Sequence, residues 1–220
     1  MARLSEYGEA SRTFQVLWRK GKSTNTMSDN FFNAAKGRRS IYAIKKSSTI
    51  SDNKIGEIVQ DAVKYAPSAF NSQSARTVVL FGRHHDKLWE MTKESPEHYA
   101  QTEKRLDGFK AGHGTILFFE DMTVVRGFQE KFVKYQDQFL NWSQQANGML
   151  QYMIWTALET EGLGCSLQHY NPSIDDQVKL EFQIPAEWSL VAQMPFGERG
   201  GEPNSKEFKP LEDRVKIFHD

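Results

Sequence analysis

The sequence predicts one α+β domain built around a central sheet, on three observations. Segments with helical hydrophobic spacing outnumber those that read as strands, and the strands do not alternate regularly with helices, which argues against a doubly wound parallel sheet. No internal repeat, low-complexity tract or linker divides the chain. Its 220 residues, 39% hydrophobic and 25% charged, have the composition of a folded globular chain, long enough to bury roughly 70% of the unfolded surface.

Residues 1–28 read as a poorly ordered extension ahead of a domain spanning 29–220. Met1 to Thr26 carries Arg3, Arg12, Arg19, Lys20 and Lys22, but also Glu6 and Glu9, and has no continuous apolar run. A secretory signal is therefore not expected, the two glutamates count against a transit peptide, and Met27 is a second candidate beginning. Ser51 before Asp52 marks a helix start, because a serine oxygen accepts from first-turn amides. Ile55, Ile58, Val59, Ala62, Val63 and Ala66 then recur on one helical face, and Pro67 ends that helix. After the polar loop Asn71-Ser72-Gln73-Ser74, Thr77–Phe81 reads as a buried strand stopped by Gly82.

His85–Lys93 and Glu97–Lys110 read as helices, Thr115–Phe119 as a strand after the Gly112-His113-Gly114 break, and Val124–Leu140 as one long helix. A further helix carries Ala146, Met149, Leu150, Met153, Ile154, Ala157 and Leu158, with Gly162 at its C-terminal cap. Cys165–His169 reads as a short strand. Asn171-Pro172-Ser173 leads into another helix that Pro185 ends, and Trp188–Pro195 is a last strand before a tail rich in glycine, proline and charge.

Several function classes are excluded. Twenty-eight basic residues balance 28 acidic ones, so no nucleic-acid footprint is expected. The single cysteine, Cys165, cannot form a disulfide within the chain; this favours a reducing compartment, and the expected location is cytoplasmic. No apolar stretch reaches membrane-spanning length. There is no Gly-x-Gly-x-x-Gly fingerprint, phosphate-binding Walker loop or Gly-x-Ser-x-Gly elbow. His84 and His85 are adjacent and point to different faces, so no metal site is expected.

Three segments remain. Arg38-Arg39-Ser40-Ile41-Tyr42 offers forked, charge-assisted donors suited to a phosphate; alone, it fits a solvated basic turn better. Ala66-Pro67-Ser68-Ala69-Phe70-Asn71-Ser72-Gln73 opens from a helix end into small and amide-bearing residues, which suit the mixed donor and acceptor edge of a flavin, or an ordinary capped loop equally well. Glu161-Gly162-Leu163-Gly164-Cys165 has two glycines around one leucine; it either presents backbone amides to a ligand or simply caps a helix and enters a strand.

Together, in this order, the three segments resemble the nitroreductase superfamily, in particular its small subgroup of fungal fatty-acid-repression-type and bacterial copper-induced nitroreductases. The resemblance runs from about Asp29 to the C-terminus. Leu106-Asp107-Gly108-Phe109-Lys110, Gly114–Asp121, Leu167-Gln168-His169-Tyr170-Asn171-Pro172 and Met194-Pro195-Phe196-Gly197 support it.

The resemblance implies a nitroreductase-like fold: a central, mostly antiparallel sheet flanked by helices, in an intertwined homodimer with FMN at the interface. By position, Arg38, Arg39, Ser40 and Lys206 would contact the FMN phosphate and ribityl chain, with Arg199 a weaker candidate. Pro67, Ser68, Ala69, Asn71 and Gln73 would reach the flavin held mainly by the other subunit. Leu163 and Gly164 would face its N5 region, and Arg105 its pyrimidine side. Ala69 replaces a hydroxyl-bearing residue common in relatives, and the Gly162–Gly164 turn lacks the glutamate of larger members.

The chemistry so implied rests on the cofactor, with binding and orientation left to the protein. NADH or NADPH would supply electrons, and a nitroaromatic, quinone or similar small molecule would take them in a ping-pong cycle that needs no catalytic side chain. Phe70 and Phe109 are candidates to line the acceptor pocket, though either alone suits a core. His169 and Tyr170 are weaker candidates for proton donation, and Cys165 reads as a small buried residue. The competing readings are a flavin-binding regulatory or stress-response protein with incidental activity, and a scaffold without cofactor.

Overall fold

The computed structural model describes residues 26–95 and 103–220. Residues 1–25 of the expected extension, and the start of the helix expected from Glu97, lie outside the described residues. The last two residues of that extension, Met27 and Ser28, open helix α1 (Met27–Gly37). Asp29 accepts at 2.8 Å from both the backbone amide and the hydroxyl of Thr26, and the Asp29 amide donates back to that hydroxyl oxygen at 3.2 Å. These bonds hold the Asp29 carboxyl below its usual range and satisfy first-turn donors.

From Gly37 onward the chain forms one compact unit. Its five-stranded sheet runs β1 (Ile44–Lys45), β5 (Trp188–Arg199), β3 (Gly114–Asp121), β2 (Ala75–Phe81), and β4 (Leu163–Cys165) also pairs with β5. Every one of these pairings is antiparallel. A register shift at Phe118/Phe119, where Leu190 and Ala192 are the successive partners on β5, marks a bulge.

Strand β3 explains why the sheet is hydrophobic without alternating. Successive side chains point to opposite faces. Ile116 and Phe118 therefore pack into one core with Ile55 and Val59 of α2 (Asp52–Tyr65) and Leu150, Ile154 and Leu158 of α6 (Phe139–Thr160). Leu117 and Phe119 pack into a second core. Its other walls are Leu88 and Trp89 of α3 (Gly82–Glu94), Leu106 and Phe109 of α4 (Glu103–Lys110), and Val178 of α7 (Asp175–Glu181). Both faces of β3 are covered, and the four side chains are 0% exposed.

Helix α2 begins where expected, with the Ser51 hydroxyl oxygen accepting from the Lys54 amide at 3.2 Å. Ile55, Val59 and Ala62 form its buried stripe. Val63 does not join them and is 38% exposed; it lies roughly 70° round the axis from that stripe at 100° per residue. Gly82 stops β2 as expected and also opens α3, with a φ of 53°, a left-handed conformation that glycine adopts without strain.

The long helix expected over Val124–Leu140 is three pieces. Helix α5 (Met122–Lys131) ends at Phe132, whose φ of −124° and ψ of 62° leave the helical region. A 3-10 segment (Val133–Gln138) follows, and α6 starts at Phe139. The aromatic periodicity persists across both breaks because all three pieces turn their rings to one cluster. Periodicity reports that shared face and says nothing about backbone continuity.

The strand expected over Cys165–His169 is shorter and starts earlier, at Leu163–Cys165; beyond it only Gln168 pairs, in a single bridge with Gln193. Strand β5 runs past Pro195 to Arg199. Pro195 has no amide to donate, yet its carbonyl accepts from the Ser166 amide at 3.3 Å, so the strand continues through it.

One buried polar group is fully partnered. His85, 1% exposed, lies 2.8 Å by Nδ1 from the Thr115 hydroxyl and 3.2 Å by Nε2 from the Lys110 carbonyl. The carbonyl can only accept, so Nε2 carries the proton. Trp89 donates to the Thr115 oxygen at 3.0 Å, leaving the threonine proton for Nδ1. This neutral tautomer uses every site, and burial lowers the His85 pKa to about 4. Among the described residues no helix is long and apolar enough to cross a membrane, and no three His, Cys, Asp or Glu gather as a metal site.

Candidate functional site

The cationic segment and the glycine turn meet on the sheet. Ser40 pairs in parallel with Cys165, and the Ile41 amide donates to the Cys165 carbonyl at 2.9 Å. Leu163, Gly164 and Cys165 are all buried. A Cβ on Gly164 would sit 2.8 Å from Ile41 Cγ2 and 3.2 Å from Arg199 Cγ, so glycine there lets the 38–41 segment lie against β4. Gly162, with φ 85°, makes the turn from α6 into that strand. Cys165 is a core residue; burial pushes its thiol well above the usual range and leaves it unreactive.

The partners of the two arginines are neutral. The Arg38 guanidinium lies 4.3 Å from the centroid of the Trp155 ring, a cation–π contact. Arg39 Nη2 donates to the Asn204 carbonyl at 2.5 Å, which brings the C-terminal segment, with Lys206 two residues on, beside the same patch. Lys206 Nζ lies 5.1 Å from the Phe208 ring centroid. Among the described residues none of these three cations pairs with a carboxylate. Arg199 differs: its Nη2 is bonded to the buried carboxylate of Glu159, so its charge is already compensated.

Beside this patch is a cleft of about 450 Å³ lined by Tyr42, Ala43, Lys104, Arg105, Gly108 and Phe109. The Arg105 guanidinium lies 5.8 Å from the Tyr42 ring centroid. Phe109, although it borders the cleft, is 1% exposed and packs on Trp89 at 4.9 Å. Tyr170 meets both rings edge-on; burial raises its hydroxyl pKa and the nearby Arg105 charge opposes that shift. His169 is exposed.

The loop after α2 belongs to a different cleft. About 340 Å³ in volume, it is lined by Val63, Pro67, Ser68, Gln73, Arg76 and Leu150 among others, and by none of Arg38, Arg39, Ser40, Leu163, Gly164 or Lys206. The loop is wound tightly. Ala69–Asn71 is a 3-10 turn, and the Ser68 hydroxyl oxygen accepts from the Gln73 amide at 3.0 Å. Phe70, Asn71 and Gln73 have φ of 56°, 52° and 51°. Three non-glycine residues in the left-handed region store strain on the order of 1–3 kcal/mol each.

Phe70 projects from this loop, 49% exposed, into rings from the broken helical stretch. Its centroid is 4.8 Å from Phe132, 5.5 Å from Phe139, 6.0 Å from Trp142 and 6.1 Å from Tyr135. The signal for this wall was in the sequence as the 4-3-4-3 spacing of Phe128, Phe132, Tyr135, Phe139 and Trp142. Tyr42 and Trp155 had no such signal, since each is defined by what it meets across the fold.

Residues 35–198 match the sequence model of the nitroreductase family. The chain belongs to the nitroreductase family. HBN1 of Saccharomyces cerevisiae, which carries a nitroreductase name, is 34% identical over 184 residues, covering 83% of this chain and 93% of that protein. The solved structure of the nitroreductase CinD from Lactococcus lactis in complex with 4-nitrophenol matches with a TM-score of 0.78 at 43% identity, over 86% of this chain and all of that one. A nitroreductase-fold protein from Exiguobacterium sibiricum in complex with FMN shares the fold at a TM-score of 0.63 and 16% identity, covering 89% of this chain and 100% of that chain. The nitroreductase fold expected from the sequence, with its largely antiparallel sheet flanked by helices, is thus the fold of this chain, and its activity is that of an oxidoreductase.

Proposed function

We propose that this nitroreductase is an FMN-dependent NAD(P)H oxidoreductase acting as a homodimer in the cytoplasm. The observation that carries the proposal is the charge state of the Arg38–Ser40 patch: Arg38 and Arg39 are held in place by a tryptophan face and a backbone carbonyl, neutral partners that leave both charges for a phosphate. The donor set therefore fits FMN. Arg38, Arg39, Ser40 and Lys206 would hold its phosphate and ribityl chain. The Leu163–Gly164 backbone would lie at the reactive edge of the ring, and Arg105 at the pyrimidine side.

The second support is the separation of the two clefts. The loop carrying Pro67, Ser68, Ala69, Asn71 and Gln73 lines a cleft apart from the cation patch of its own protomer, as is needed if it completes the partner's site. Bound FMN would supply the redox chemistry, taking electrons from NADH or NADPH and passing them to the acceptor in a ping-pong cycle. The protein's part is to bind, orient and shield the reacting faces. The ring wall around Phe70 suits a flat nitroaromatic or quinone acceptor, in keeping with 4-nitrophenol bound to the 43%-identical relative. Phe109, which borders the Arg105 cleft, and the exposed His169 are weaker candidates to contact the acceptor.

Absorbance of the purified protein with added FMN, followed by NADH and NADPH turnover with a nitroaromatic and a quinone, tests this. A yellow holoprotein that reduces both acceptors is expected; no flavin uptake, or a yellow protein without turnover, would reject it. Arg38→Ala should weaken FMN binding by about 10- to 100-fold, the worth of a charge-assisted hydrogen bond. Sedimentation of a stable monomer with full FMN occupancy would refute the shared site.

A further inference from the structure

At the foot of the 67–73 loop, Arg76 makes contacts that no part of the reaction yet uses. Its Nη1 donates to the Gln73 carbonyl at 2.6 Å and to the Ala75 carbonyl at 3.0 Å, and its Nη2 donates to Asp121 Oδ2 at 3.0 Å. Asp121 has a second task. Its Oδ1 accepts from the Thr123 amide at 3.0 Å and so caps α5, while its own amide donates to the Ser74 carbonyl at 2.9 Å. One guanidinium thus ties the end of the loop to the first turn of the helix that leads to Phe128 and Phe132 of the aromatic wall.

The planar fork matters here. A guanidinium reaches two carbonyls and a carboxylate at once in fixed directions, which an ammonium cannot reproduce. Arg76 is 30% exposed and Asp121 16%, so the pair is shielded enough to hold its geometry. Gln73, whose carbonyl it grips, is one of the three left-handed residues, a conformation that lasts only where the surroundings over-determine it.

We propose that Arg76 is a positioning residue that sets the cofactor loop and the acceptor wall in register with each other. The proposal rests on the FMN-dependent reading above. Loss of the clamp should free the loop, weakening the partner's hold on FMN, and let the ring wall drift, raising the acceptor KM more than it lowers kcat.

The experiment uses the holoprotein and the variants Arg76→Met, Arg76→Lys and Arg126→Met. The last is a control: Arg126 is also on α5 and also pairs with a carboxylate, Glu187, but touches no part of the loop. FMN release on dilution is followed by flavin fluorescence, and steady-state kinetics are run at saturating FMN with 4-nitrophenol and with a quinone. For Arg76→Met the expected result is an FMN dissociation constant raised by about tenfold and an acceptor KM raised severalfold with little change in kcat, the scale of a lost charged hydrogen bond. Arg76→Lys should recover part of the loss and Arg126→Met should match wild type.

Wild-type values in a folded Arg76→Met protein, or an equal loss in Arg126→Met, would overturn the proposal. Should Arg76→Met fail to fold, Asp121→Asn serves instead. Asparagine still caps α5 but gives up the charge, and the same two constants should rise; wild-type values there would also overturn it. Wild-type protein that takes up no FMN fails the parent reading instead, and shows it before any variant is compared.

Discussion

The glycine patch on the sheet and the loop after α2 hold their backbones in opposite ways. At Gly164 the chain is held by exclusion: there is no room for a Cβ against Ile41 and Arg199, and β4 is buried along its length. At Phe70, Asn71 and Gln73 the backbone is left-handed with full side chains attached, half of Phe70 is in solvent, and the conformation is imposed by bonds from Ser68 and Arg76. The first region is rigid because nothing else fits; the second is rigid only while its ties hold. A site built from one of each has a fixed floor and an adjustable wall.

If that contrast is right, substitutions on the sheet should cost stability, and substitutions in the loop should cost binding. Gly197→Ala should have the largest effect. Its Cβ would collide with the Lys45 carbonyl oxygen on β1 and press on the His113 amide; both are backbone and cannot yield. A loss of about 3 kcal/mol or more in denaturant unfolding is expected, at the upper end for overpacking. Near wild-type stability would break the idea of an excluded-volume floor.

Acid should act on the same rigid side. Burial holds the folded-state pKa of His85 at about 4, below the 6.5 usual for a free imidazole. Its stabilising contribution is therefore complete above pH 6.5, declines as pH falls between 6.5 and 4, and is gone below the folded value. The span corresponds to on the order of 3 kcal/mol. Unfolding free energy measured against pH should show that decline, and His85→Gln should flatten it.

Gly164→Ala is expected to cost about 1–3 kcal/mol, less than Gly197→Ala because Ile41 and Arg199 present side chains, which can shift. Flavin retention should fall with it. Phe70→Ala should leave thermal stability close to wild type while raising the KM for a flat acceptor, by roughly 0.5–1.5 kcal/mol of lost ring contact. An unchanged KM would remove Phe70 from the acceptor wall. The smallest effect belongs to Gln73→Gly, where relief of left-handed strain and added unfolded-state entropy nearly cancel. Chemical denaturation should find it within about 1 kcal/mol of wild type, with any loss appearing in FMN binding.

Much of the fold was legible because it is written locally. Ser51 announced α2, Gly162 announced the turn into β4, and the run Thr115–Phe119 announced a strand, which the structure shows to be buried on both faces. Where the expectation failed, at Phe132, the apolar period was real but the backbone beneath it was broken, and only the packing of Phe132 and Phe139 against Phe70, with Phe128 stacked behind them, shows why the rings keep time. Val63 failed for the converse reason: apolar and nearly in phase, it faces a cleft.

The candidate site divides in the same way. The sequence by itself offered Arg38, Arg39 and Ser40 as donors of the kind that suits a phosphate, with Lys206 added by the family resemblance, and it determined that a glycine turn follows α6. Only the tertiary structure decided that Arg38 meets an indole and Arg39 a carbonyl while Arg199 is spent on Glu159, and that the 67–73 loop lines a cleft apart from the Arg38–Ser40 patch. The physical reason is distance along the chain. Caps and periods are set by neighbours within a few residues, whereas whether a charge is left over depends on a partner such as Asn204, 165 positions away from Arg39, that no local pattern encodes.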